Sequence, residues 1–320
     1  MKIFWCNILL CFITASVFGQ KQGDYKPYTI ENTYQKLKKH YPDISPITPV
    51  VSNKIKYKED VTYKKLDASK LKLDVYFPKD NCKKTFPAVL LIHGGGWLTG
   101  SKENQRVMGQ HLALNGYVGI SVSYRLGFKA KYPAGVNDLK DAIVWIRKHA
   151  KKYHINPNKI AVLGTSAGAQ LASLIGVTPN LQLFNVDENI SNAVQAIINI
   201  DGVVSFIHPE AAAESKPSKT SMAGIWLGGE KEENFKTWKE ASPLEYVNEH
   251  TPPTLFVNSS HARFHAGRDD MISILNKHNI YNEVHTLEDS PHSFWLMHPW
   301  FETKLKHTVY FLDKVLKNED

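Results

Sequence analysis

The sequence predicts an α/β fold: a mixed, mostly parallel central sheet covered by helices on both faces. Three observations carry that prediction. Residues 87–93 and 116–124 are nearly continuous apolar runs, as expected of strands buried on both faces. Residues 138–149 put Leu139, Ile143 and Ile146 on one helical face. The apolar run from Ile160 passes through Gly164-Thr165-Ser166-Ala167-Gly168 into Leu171, Leu174 and Ile175 at helical spacing, which reads strand, sharp turn, helix.

From the start of the chain, Lys2 precedes an apolar stretch at 3–18 that is too short and too poorly flanked to span a membrane and ends in small residues before Gly19. Residues 1–19 are therefore expected to be a secretory signal, which implies a secreted or periplasmic protein with no integral membrane segment after cleavage. The bulky Leu10 argues against a lipid anchor at Cys11. Cys6 and Cys11 leave with the signal, and Cys82 alone cannot close an intrachain disulfide. Stability must then come from the core.

Residues 20–60 begin with prolines at 27, 42, 46 and 49 and read as an N-terminal strap wrapped over the surface. Residues 61–320 form one domain, since no linker, repeat or low-complexity tract divides them. Alternation in 55–63 and 71–77 predicts half-exposed antiparallel edge strands ahead of the buried ones. Further strands are expected at 193–200, 254–258 and 283–287, with helices at 270–278 and 301–316. Residues 203–250, inserted between two strands, form a candidate lid whose Trp226 and Trp238 either line a cleft or pack in the core.

The net charge of +8 falls to +7 without Lys2, and lysines crowd between Lys21 and Lys72. That pattern fits a solvated surface or attraction to a polyanion. No nucleic-acid motif accompanies it, which leaves an acidic polysaccharide as the polyanion to consider.

At the sharp turn, Gly164 and Gly168 remove Cβ atoms that would collide as the helix leaves the strand. Ser166 Oγ then stands at a helix N-terminus, where backbone N–H groups favour developing negative charge, and reads as a nucleophile. The second chemical stretch is His93-Gly94-Gly95-Gly96-Trp97, directly after a buried strand. Three successive glycines indicate backbone that approaches something closely. No phosphate-loop pattern accompanies them. The N–H groups of Gly95 and Gly96, with that of Ala167, are the candidate oxyanion hole, and His93 is a support for the loop.

Together these residues resemble the α/β-hydrolase superfamily. His-Gly-Gly-Gly-Trp, Tyr124-Arg125-Leu126, Gly-Thr-Ser-Ala-Gly and Asp289-Ser-Pro-His292-Ser-Phe-Trp295 are similar to the carboxylesterase branch that contains bacterial acetyl-xylan, feruloyl and pectin esterases. More narrowly, Asn199-Ile-Asp-Gly202, Trp226-Leu-Gly-Gly229, the 263–269 stretch and the 294–301 stretch resemble exported esterases of plant-cell-wall-degrading bacteria.

The resemblance implies His292 as general base, holding Ser166 Oγ with one ring nitrogen and an orienting carboxylate with the other. Relatives usually carry that carboxylate just beyond the seventh strand, but here the strand runs into Asn258-Ser-Ser-His-Ala262, with no carboxylate before Asp269. Asp201, at the tip of the preceding strand, is the favoured acid and Asp269 the alternative; Asp289 or a backbone carbonyl would serve a dyad.

Trp97, Arg263 and Arg268 are candidate substrate-binding residues. The arginines suit a uronate carboxylate beside the scissile ester, unless Arg268 braces Asp269 or Asp270. The implied function is a serine esterase removing acyl groups, acetyl foremost, from acylated plant polysaccharides, with no metal or organic cofactor. The alternatives are a feruloyl or methyl esterase on the same glycans, a serine peptidase of the same fold, and an inactive carbohydrate-binding homologue.

Overall fold

A computed structural model of the chain describes residues 23, 25–79, 84–179, 181–184, 187, 189–212 and 220–317. The expected signal at 1–19 and the three cysteines lie outside the described residues.

Among the described residues the central sheet has eight strands: β1 (Ile55–Leu66), β2 (Ser69–Pro78), β3 (Phe86–Ile92), β4 (Val118–Val122), β5 (Ile155–Thr165), β6 (Ala196–Ile200), β7 (Thr254–Ser259) and β8 (Asn282–Leu287). Their spatial order is β1-β2-β4-β3-β5-β6-β7-β8. The β1–β2 and β2–β4 pairs are antiparallel, and every later pair is parallel. The long edge strand β1 shows the alternating sequence and carries most of its lysines outward, a means of keeping a sheet edge from pairing with another chain. Because β1 begins at Ile55, the sheet takes in the last residues of the 20–60 strap.

Buried strands divide their side chains between two apolar layers, as the period of two requires. In β3, Ala88, Leu90 and Ile92 enter one layer while Val89 and Leu91 enter the other. The first layer is covered by α3 (Ala134–Lys148), α4 (Ala167–Val177) and α7 (Arg268–Lys277), through residues such as Leu139, Leu171 and Met271. The second is covered by α2 (Arg106–Leu114) and α8 (Trp300–Leu312), through Leu112, Phe301 and Phe311. Each fully buried Leu or Ile contributes about 1.5–3 kcal/mol. Removing one from the central strands, as in Leu90→Ala, would cost about 2–5 kcal/mol because the cavity cannot collapse.

The strap carries a helix the sequence reading left out, α1 (Ile30–Leu37), capped by the Thr29 hydroxyl, which accepts from the Asn32 N–H at 3.1 Å. Its Ile44 and Ile47 are buried in the second layer. Ser45 and Pro46 form a short antiparallel ladder with Met297 and His298. The 203–250 segment carries α5 (Met222–Leu227) and α6 (Phe235–Glu240) between β6 and β7. Among the described residues, no helix is long and apolar enough to cross a membrane.

Candidate active site

The C-terminal ends of β3, β5, β6, β7 and β8 converge on one edge of the sheet, where open α/β sheets place their ligands. At the end of β5 the chain turns into α4 through Ser166, held at φ 53° and ψ −122°. A side chain at positive φ is strained, and the surroundings enforce it. A Cβ on Gly164 would lie 1.9 Å from the Gly168 carbonyl oxygen, and one on Gly168 would lie 2.3 Å from that of Ile92. Only glycine fits on either side of the serine, for the reason expected from the sequence.

Ser166 Oγ lies 2.8 Å from His292 Nε2, and His292 Nδ1 lies 2.7 Å from Asp201 Oδ2. A carboxylate only accepts, so Nδ1 carries the imidazole proton and Nε2 is left to accept from the serine hydroxyl. Asp201 is itself at positive φ, 53°, and wholly buried. An unpaired carboxylate there would cost several kcal/mol. Its second partner set comes from β7: Ser259 donates its N–H to Oδ1 at 3.0 Å and its hydroxyl to Oδ2 at 2.7 Å, with the Asn258 amide at 3.5 Å. These two residues, read from the sequence only as a slot lacking its acid, are what hold the acid on the neighbouring strand.

Burial lowers the His292 pKa; Asp201 opposes that shift, while Arg263 and His261 add to it. Phe264 stacks on the imidazole at 3.3 Å between ring centroids, and the Arg263 guanidinium lies 4.6 Å from the centroid of Phe264. The ring is thus fixed by one hydrogen bond at each end and an aromatic face. The sequence reading did not single out Phe264, because nothing local marks a loop aromatic as facing a histidine far along the chain.

The glycine loop passes against the elbow, since a Cβ on Gly94 would lie 2.7 Å from Thr165 O and 3.1 Å from Ser166 Cβ. Gly95 and Gly96 adopt φ of 113° and 59°, and Trp97 follows at 62°. Among the described residues, none of the backbone hydrogen bonds of loops and caps uses the N–H groups of Gly95, Gly96 or Ala167. His93 underpins the loop: it is buried, its Nδ1 lies 2.8 Å from Gly94 O, and it stacks on Tyr124. Burial pushes its pKa down to about 4, so it is neutral.

The other candidates fall elsewhere. Asp269 lies exposed on the first turn of α7, paired with Arg268 at 2.8 Å, while His292 turns to Asp201. That pairing holds the Asp269 pKa below the usual range. Arg268, a candidate substrate ligand, is instead an internal brace, donating to Asp269 and, at 3.0 Å, to Asn258 Oδ1. Asp289 is exposed. Trp97 donates its indole N–H to Gln170 at 2.8 Å and stacks on Trp226, so most of its surface is packing. Trp226 on α5 and Trp238 on α6 are core residues, buried in the first layer. Among the described residues, no cluster of three or more His, Cys, Asp or Glu is arranged to hold a metal ion.

Sheet order, elbow and surrounding helices define the α/β-hydrolase fold. The same fold recurs in a truncated carbohydrate esterase from gut microbiota (TM-score 0.70, 20% identity, 84% of this chain and 99% of that one). It recurs also in esterase Est2 of Thermogutta terrifontis (TM-score 0.66, 25% identity, 83% and 94%). The chain belongs to the BD-FAE family, whose family model matches residues 73–277. Curated relatives include the probable carboxylic ester hydrolase LipM of Mycobacterium tuberculosis, 27% identical over 209 residues, 65% of this chain and 47% of that protein. Esterase LipC of the same organism is 29% identical over 191 residues, 59% and 47%. The chain thus spans about half the length of these relatives.

Proposed function

We propose that this protein is a secreted or periplasmic serine carboxylic-ester hydrolase that removes acyl groups, acetyl foremost, from plant cell-wall polysaccharides. The observation that carries the reading is the unbroken hydrogen-bonded chain Ser166–His292–Asp201, with the glycine loop packed against the serine turn through Gly94. Names of relatives and fold neighbours, esterases and carbohydrate esterases among them, support the ester and the sugar.

In this reading Ser166 Oγ attacks the ester carbonyl carbon as its proton passes to His292 Nε2. The carbonyl oxygen takes up the negative charge and accepts from the three N–H groups, each worth about 3 kcal/mol to the transition state. Collapse breaks the bond to the sugar oxygen, which takes the proton from His292. Water, deprotonated by the same nitrogen, then releases the carboxylic acid and restores the serine. Asp201 keeps the imidazole in the productive tautomer and stabilises the imidazolium.

A pectic substrate is favoured by Arg263, a cation one aromatic ring, Phe264, away from Ser166's base, whose charge suits a uronate carboxylate. The test is release of acetate, methanol and ferulate from pectins and xylans by the wild type and by Ser166→Ala. Acetate release that disappears in a folded Ser166→Ala variant is the expected result. Faster release from acetylated pectic oligosaccharides than from acetylated xylo-oligosaccharides, with salt narrowing the gap, would support the uronate. A Ser166→Ala protein with near-wild-type turnover would overturn the mechanism.

A further inference from the structure

The N-terminal strap reaches the loop that carries His292. Trp295, three residues beyond the histidine, is buried and meets the imidazole edge-on at 5.1 Å between ring centroids. A buried indole N–H needs an acceptor. Here it is the phenol oxygen of Tyr28, in the strap, at 3.0 Å. Ile47 N–H donates to Leu296 O at 3.0 Å, and Ser45-Pro46 pairs with Met297-His298.

We infer that one residue of the strap, Tyr28, is a positioning residue that sets His292 through Trp295. The inference rests on the esterase reading above. Strap packing alone would make these residues matter for stability only. Positioning makes the phenol matter for the chemical step, because a base displaced by even a fraction of an ångström loses its in-line contact with Ser166 Oγ.

The experiment is a cycle of Tyr28→Phe, Trp295→Phe and the double variant, with Ile44→Ala as the strap variant that removes packing alone, assayed with p-nitrophenyl acetate. Tyr28→Phe is expected to lower kcat about tenfold or more with KM within about twofold. The double variant should be no slower than the slower single one, since both break one relay. Ile44→Ala should lower Tm while leaving kcat within about twofold. Wild-type kcat in Tyr28→Phe, or effects that multiply in the double variant, would overturn the role of Tyr28. Should Tyr28→Phe fail to melt cooperatively, the Trp295→Phe kcat decides alone, and a wild-type value overturns the relay. A wild-type chain with no Ser166-dependent turnover would overturn the esterase reading and the relay with it, an outcome distinct from an active enzyme indifferent to Tyr28.

Discussion

The tips of β6 and β7 lie side by side in parallel register, and both are buried, yet they contribute opposite chemistry. β6 leads directly into Asp201, an acceptor only. β7 ends in Asn258 and Ser259, whose amide, N–H and hydroxyl donate to it. What the pair teaches is that a buried acid is located by the convergence of donors, and that the strand supplying the carboxylate and the strand supplying the donors are separable. Asp269, farther along after β7, has its carboxylate in solvent and an arginine on it, so it lacks the burial that makes a charge felt by a histidine.

The comparison breaks or sharpens by substitution. The largest effect is expected for Asp201→Asn, which keeps the volume but allows the wrong tautomer of His292; kcat should fall by about 10³-fold or more. Melting cooperativity is the control, since an amide among three donors could disturb the strand tip. Ser259→Ala should come next, with a loss of about tenfold, because it removes one charge-assisted bond of about 1.5–3 kcal/mol while leaving the N–H in place. An unchanged kcat there would mean that the β7 donors do not tune the acid. Asp269→Asn should change kcat by less than about threefold, as expected of an exposed ion pair. A dead but folded Asp269→Asn protein alongside an active Asp201→Asn one would reverse the assignment of the two strand tips.

The smallest effect is one of pH. Only neutral imidazole accepts the serine proton, so kcat/KM should rise with pH and level off above the His292 pKa, with its midpoint below the ordinary histidine value of about 6.5. Arg263 adds to that depression, so Arg263→Gln should move the midpoint upward when read on neutral p-nitrophenyl acetate. An unmoved midpoint would show that the Arg263 charge does not reach the imidazole.

Most strands, the two-layer core and the elbow were legible because their signals are local: apolar runs, a period of two or 3.6, and glycines flanking a serine. The 71–77 stretch, expected as a half-exposed edge, is instead β2, paired on both sides and buried at Leu73, Val75 and Tyr76 because β4 and α2 cover it. The reading overlooked α1 and α2. Within 20–52, the prolines outweighed the short amphipathic run between them, and Arg106–Leu114 has its polar residues interleaved with Gly109 and Gln110. At the site, Ser166, His292, Gly95 and Gly96 followed from position within motifs. Asp201 is favoured over Asp269 by the empty slot after the seventh strand and by the need of a carboxylate at a buried strand end for a partner.

By itself, then, the sequence determined the fold class, the place of the serine turn and the glycine loop, and the need for a partner at Asp201, because each depends on neighbours within a few residues. Only the tertiary structure decided that Ser259 and Asn258 serve Asp201, that Arg268 is a brace, that Phe264 faces His292 and that Tyr28 reaches Trp295. Those pairings join residues up to 267 positions apart. Their physical basis is the packing of separate elements at one edge of the sheet, where a donor finds its acceptor by direction and distance in space, and no periodicity along the chain records that meeting.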